Sequence, residues 1–134
     1  MVRQKDETMS IQSSADIVLV RQAVRKLAVE LGFSLVDQTK IVTAASELAR
    51  NTLDYGGGGT VQLEALHEGI RRGVRLTFED HGPGIPDIDL ALKDGFTTGG
   101  GLGMGLSGTK RLVNEFHIVS RVGDGTCITI TKWK

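Results

Sequence analysis

The sequence predicts a two-layer α/β sandwich, a mostly antiparallel sheet covered on one face by helices. Three features point to it: two long stretches with helical apolar spacing in the first half, two pairs of alternating runs joined by glycine turns, and a glycine-dense segment between those pairs. Taken in order, residues from about Met9 to Ser13 read as a short strand. Ile17, Val20, Val24, Leu27 and Leu31 repeat at three- and four-residue intervals and stop at Gly32, which defines a first helix. From Asp37 to about Tyr55 the same spacing runs through Ile41, Ala44, Ala45, Leu48 and Leu53, and the four glycines Gly56 to Gly59 end it. Alternation then takes over from Thr60 to Leu66 and from Val74 to Glu79, with a turn near Gly69 to Gly73, as in a hairpin. A short helix is expected around Ile88 to Lys93 and a third long helix from about Gly103 to Glu115. Phe116 to Arg121 and Thr126 to Lys132 complete the pattern as strands joined at Gly123-Asp124-Gly125.

At 134 residues the chain is expected to form a single domain over 1–134, with one site carrying its function. Sixteen basic and sixteen acidic residues cancel, so no overall field favours nucleic acid or an anionic membrane, and neither is an expected partner. Cys127 is the only cysteine, which excludes an internal disulfide or a cysteine zinc cluster; in an apolar strand it reads as a core residue. No stretch approaches the roughly 20 apolar residues of a membrane span, and the expected location is cytoplasmic.

Three segments carry chemistry. In Ser46-Glu47-Leu48-Ala49-Arg50-Asn51, Glu47 and Asn51 stand four apart, on one face of the second predicted helix. An Asn oxygen is a hard neutral ligand suited to magnesium, and the nearby carboxylate of Glu47 could serve as a general base. A solvated polar helix face would show the same residues. In Asp80-His81-Gly82-Pro83-Gly84, a carboxylate at the end of a strand meets a glycine turn. It could accept the adenine amino group while Gly82 and Gly84 let backbone approach the base; an ordinary turn uses the same residue types. From Gly95 to Gly108 seven of fourteen residues are glycine, Gly101, Gly103 and Gly105 among them. Such a stretch suits a lid whose amides turn toward phosphates at the start of a helix, though a surface loop would also be glycine-rich. It has neither the spacing of a dinucleotide fold nor the Gly-Lys-Ser/Thr of a P-loop.

In this order the three segments resemble the N, G1 and G2 boxes of the GHKL superfamily, the Bergerat-type ATP-binding fold shared by gyrase, Hsp90, the MutL proteins and histidine kinases. The resemblance implies ATP and Mg2+ as cofactors. It makes Glu47 the catalytic base, Asn51 the magnesium ligand, Asp80, Gly82 and Gly84 the adenine site, and Gly101, Gly103 and Gly105 the lid. Thr126, in Gly125-Thr126-Cys127-Ile128, resembles the late threonine that helps the aspartate hold adenine, directly or through water. The wording around these boxes, from Glu79-Asp80-His81-Gly82-Pro83-Gly84-Ile85-Pro86 to Asp94-Gly95-Phe96-Thr97-Thr98 and Lys132-Trp133, is similar to the small RsbT-type serine/threonine kinases of bacterial stress signalling. That likeness implies phosphorylation of STAS-domain scaffold and antagonist proteins of the stressosome, followed by release to bind and activate a PP2C-type phosphatase. Two other functions stay open at this point: an anti-sigma factor kinase that sequesters a sigma subunit, and a partner-binding module that holds ATP without transferring it. His67, His81 and His117 share no metal-ligand spacing, and His81 reads as a surface residue of its loop; Arg50 reads as a solvated helix arginine.

Overall fold

A computed structural model of the chain describes residues 2–85, 87–88, 92 and 105–134. In chain order these form strand β1 (Val2–Ile11), helices α1 (Ser14–Glu30) and α2 (Leu35–Asp54), strands β2 (Gly59–Glu68) and β3 (Arg71–Asp80), helix α3 (Gly105–Arg111), and strands β4 (Glu115–Arg121) and β5 (Gly125–Trp133). The five strands make one sheet in the order β1-β2-β3-β5-β4, every neighbouring pair antiparallel. The predicted sandwich is therefore observed.

Both long helices begin where a serine offers its hydroxyl to an otherwise unpaired amide. Ser13 Oγ accepts from Asp16 N at 3.4 Å and Ser34 Oγ from Asp37 N at 3.1 Å, and each aspartate adds negative charge to its helix's first turn. α1 ends as its sequence requires: Phe33 N donates to Ala28 O and Gly32 N to Val29 O, the paired bonds of a Schellman turn, and Phe33 is buried beneath it.

Alternation then sorts the sheet into two faces. Val61, Leu63 and Ala65 of β2, Val74, Leu76 and Phe78 of β3, and Ile128 and Ile130 of β5 are buried in one cluster with Val20, Val24 and Leu27 of α1 and Ile41, Ala45 and Leu48 of α2. Each Val, Leu, Ile or Phe among them adds about 1.5–3 kcal/mol relative to exposure. The other face is polar and pairs its charges across strands. Arg75 of β3 meets Glu64 of β2 at 3.3 Å, and the Arg71 guanidinium lies 4.0 Å from the centre of the Trp133 ring. On the helix side, nearly buried Lys132 reaches Asp37 at 3.5 Å and ties β5 to the start of α2.

Two elements differ from expectation. β1 begins at Val2 rather than near Met9, because its outward face is satisfied by polar contacts, such as Gln62 Nε2 to Asp6 at 3.0 Å, and shows no apolar alternation. A register shift between Arg3 and Lys5 interrupts the pattern further. α3 ends at Arg111 rather than Glu115, because the sheet captures the residues that would extend it. Asn114 N donates to Thr131 O at 2.9 Å, and Asn114 Oδ1 accepts from Trp133 N at 2.8 Å. Of the short helix expected at 88–93, a bond from Leu92 N to Ile88 O is seen, and the remainder lies outside the described residues, as do residues 103 and 104 of the third helix.

Candidate functional site

The sheet order brings the end of β3 beside the start of β5, and that junction builds the core of the site. Asp80 is the last residue of β3 and half-buried. Its Oδ1 accepts from Gly82 N at 2.9 Å and from Thr126 N at 3.3 Å, so one carboxylate oxygen is held by two strands' worth of backbone while Oδ2 is turned toward Gly56. The turn that follows is tied to the β4–β5 hairpin. Gly123 N donates to Pro83 O at 2.9 Å, and Ile85 N donates to Ser120 Oγ at 2.7 Å.

Gly82 and Gly84 have a reason for lacking side chains that the sequence could not show. A Cβ on Gly84 would strike the Arg121 carbonyl, and one on Gly82 would come to 2.7 Å from Gly56 Cα. The space beside each is filled by the protein's own backbone, which packs the turn against both the hairpin and the end of α2. Gly56 is the matching surface: its own missing Cβ is where the Asp80 carboxylate sits. Thr126 completes the group, its hydroxyl 2.8 Å from Ser120 Oγ.

α2 supplies the second part. Glu47 and Asn51 are both half-buried on its last turns, and among the described residues neither side chain makes a hydrogen bond or ion pair. Asn51 is one turn ahead of the Asp80 contact, since its main-chain carbonyl accepts from Tyr55 N and from Gly56 N. An uncommitted carboxylate and a neutral amide oxygen on one helix face are a donor set that fits a magnesium-bound triphosphate. Arg50 is exposed and 4.0 Å from Asp54, on a different face. Gly105 opens α3, which packs on α2, whereas Gly101 and Gly103 of the expected lid lie outside the described residues.

Comparison with known proteins decides the family. Residues 36–134 match the family described as histidine kinase-, DNA gyrase B- and HSP90-like ATPases, a span that holds every one of the site residues above. The chain belongs to this family. Within the family, the serine/threonine-protein kinase RsbT of Bacillus subtilis is 50% identical over 123 residues, 92% of each chain, and the chain stands with such protein kinases. The anti-sigma F factor of Anoxybacillus flavithermus is 32% identical, over 84% of this chain and 80% of that one. Among solved structures, the RsbU and RsbW domains of Rv1364c from Mycobacterium tuberculosis share the fold at a TM-score of 0.67 and 22% identity. The match covers 98% of this chain, which spans a third of that longer one. An ATPase domain of this family uses ATP, and Asp80 and Thr126 are brought together at the end where β3 meets β5.

Around that end, sequence reasoning missed two residues and misplaced one. Gly56 reads in sequence as a helix stop, and Ser120 as one position in an alternating strand; both act only through contacts with chain segments far away in sequence. Cys127 is half-buried on the face away from the helices, opposite Glu79 in register, and is not in the core. Burial, and then the carboxylates of Glu79 and Asp80, push its thiol above the ordinary range, so the thiolate is disfavoured beside the site. His81 is exposed, its Nε2 3.7 Å from Glu79. Among the described residues no helix is long and apolar enough to cross a membrane.

Proposed function

We propose that this kinase transfers the γ-phosphoryl group of ATP to a serine or threonine of a STAS-domain protein. Once released from that partner, it binds and activates a PP2C-type phosphatase. The observation that carries the reading is the pinned Asp80 carboxylate beside Thr126, reached from α2 by way of Gly56, in a chain 50% identical over 123 residues to a serine/threonine-protein kinase.

Adenine presents a donor at its 6-amino group and an acceptor at N1. Asp80 supplies the acceptor for the first and the Thr126 hydroxyl a donor for the second. The triphosphate then extends toward α2, where Asn51 would hold magnesium; the ion, when bound, neutralises phosphate charge. Glu47 takes the proton from the attacking hydroxyl as its oxygen forms a bond to the γ-phosphorus and the bond to the ADP oxygen breaks. Gly101, Gly103 and Gly105 would offer backbone amides to the phosphates. Positioning supplies most of the acceleration, which suits an enzyme whose output is a change of partner.

Transfer of labelled phosphate from ATP to a STAS-domain protein tests this. Transfer that disappears in Glu47→Gln while ATP still binds supports it, and undiminished transfer would remove Glu47 from its role. The likeness to an anti-sigma factor favours a second reading, in which the chain also sequesters a sigma subunit. Co-purification decides between the two, since a phosphatase partner supports the first and a sigma subunit the second.

A further inference from the structure

A serine on the edge strand touches both the turn that follows β3 and the start of β5. Ser120 of β4 faces Thr126 of β5 directly in register, on the helix-covered side of the sheet. Its Oγ makes three contacts: it accepts from Ile85 N at 2.7 Å, lies 2.8 Å from Thr126 Oγ1, and lies 3.2 Å from Gly125 O. A hydroxyl has one proton and two lone pairs. The Ile85 amide occupies one lone pair, and the proton has two acceptors within reach, the nearer being Thr126.

We infer that Ser120 is a positioning residue for base recognition, holding the Thr126 hydroxyl so that its proton points at an acceptor on the nucleotide base; this rests on the adenine-site reading above. Thr126 is then fixed at both ends, its N–H on Asp80 Oδ1 and its Oγ1 on Ser120. A threonine side chain has a single heavy-atom torsion, so these two bonds leave it one orientation relative to the Asp80 carboxylate. With the Ser120 proton directed to Thr126 Oγ1, the proton of Thr126 is left for the ligand, and a chain of two hydroxyls polarises toward the base. The same serine anchors Ile85, so the turn carrying Gly82 and Gly84 and the threonine of β5 are set by one atom. An edge strand outside the three sequence motifs thereby acts in the binding of the base.

Base analogues separate this role from a merely structural one. The readout is the affinity of the full chain for ATP and for 1-deaza-ATP, whose N1 is replaced by C–H, measured by calorimetry. The unaltered protein is expected to favour ATP by about ten-fold, the scale of one hydrogen bond to a polar site. In Ser120→Ala that preference should shrink to about two-fold, and Ser120→Thr, which keeps the hydroxyl, should restore it. A serine that only supports the fold would lower the melting temperature and leave the ratio intact, which overturns the inference. Equal binding of the two nucleotides by the unaltered protein also overturns it. Should the alanine variant fail to fold, Ser120→Cys, with a weak donor of similar size, is judged by the same ratio. Absence of any ATP binding in the unaltered protein would instead remove the adenine-site reading itself, whereas ATP binding with an unchanged ratio removes only the role of Ser120.

Discussion

The two ends of the site are built on opposite plans. At one end, proposed to hold the base, Asp80 is held by amides from its own turn and from β5, and Ser120 and Gly56 brace what surrounds it. At the other, proposed to hold the phosphates, Glu47 and Asn51 project from a single helix and make no side-chain bond among the described residues. The contrast suits the different tasks proposed for them. A carboxylate fixed before its ligand arrives can recognise a base without reorganising, whereas an uncommitted carboxylate keeps its lone pairs for a proton.

Changes at each end should therefore fail in different ways. The largest effect is expected for Glu47→Gln: phosphotransfer should fall by about 10²–10⁴-fold, the usual contribution of a general base, with ATP affinity within about two-fold of the original. A large loss of affinity here, seen by calorimetry, would erase the distinction between the two ends. Asp80→Asn comes next. It keeps shape but replaces an acceptor with a donor where the proposed site receives the adenine amino group, and ATP affinity should drop by about 10–100-fold. A third variant, Gly56→Ala, probes the brace alone. Its new methyl would occupy the place of the Asp80 carboxylate, so the aspartate must move; we expect about 1–3 kcal/mol lower stability by denaturant titration together with weaker ATP binding. Stability loss with unchanged ATP affinity would show that Asp80 need not be held where it is. The smallest effect belongs to Arg50→Ala. An exposed pair at 4.0 Å contributes about 0–1 kcal/mol, and both stability and phosphotransfer should stay close to the original values.

Much of this was readable from residue order, and the remainder was hidden for physical reasons. Helices α1 and α2 announce themselves because their buried residues recur every three or four positions and a serine precedes each. β1 does not, since an edge strand with one open face and a register shift needs polar pairing more than apolar alternation. The end of α3 depends on Asn114 bonding to β5, a contact that no local propensity predicts. The same division holds in the site. Glu47, Asn51 and Asp80 would act through their own side chains, so residue type and spacing make them candidates, and the resemblance carried by the order of the three segments names their roles. Gly56 and Ser120 matter only for what they touch, and those neighbours are set by the antiparallel register of the sheet and by the end of α2.

The pairing of β3 with β5 has one more effect. Glu79 faces Cys127, so the next rung puts Asp80 next to Thr126, although most of the second half of the chain's length separates them in sequence. Among the described residues between them, Pro83, Ile85 and Ser120 tie the turn after β3 to the β4–β5 hairpin. On the proposed reading, two residues far apart in sequence are kept in step by a single strand pairing, so the hold on the nucleotide travels with the register of the sheet.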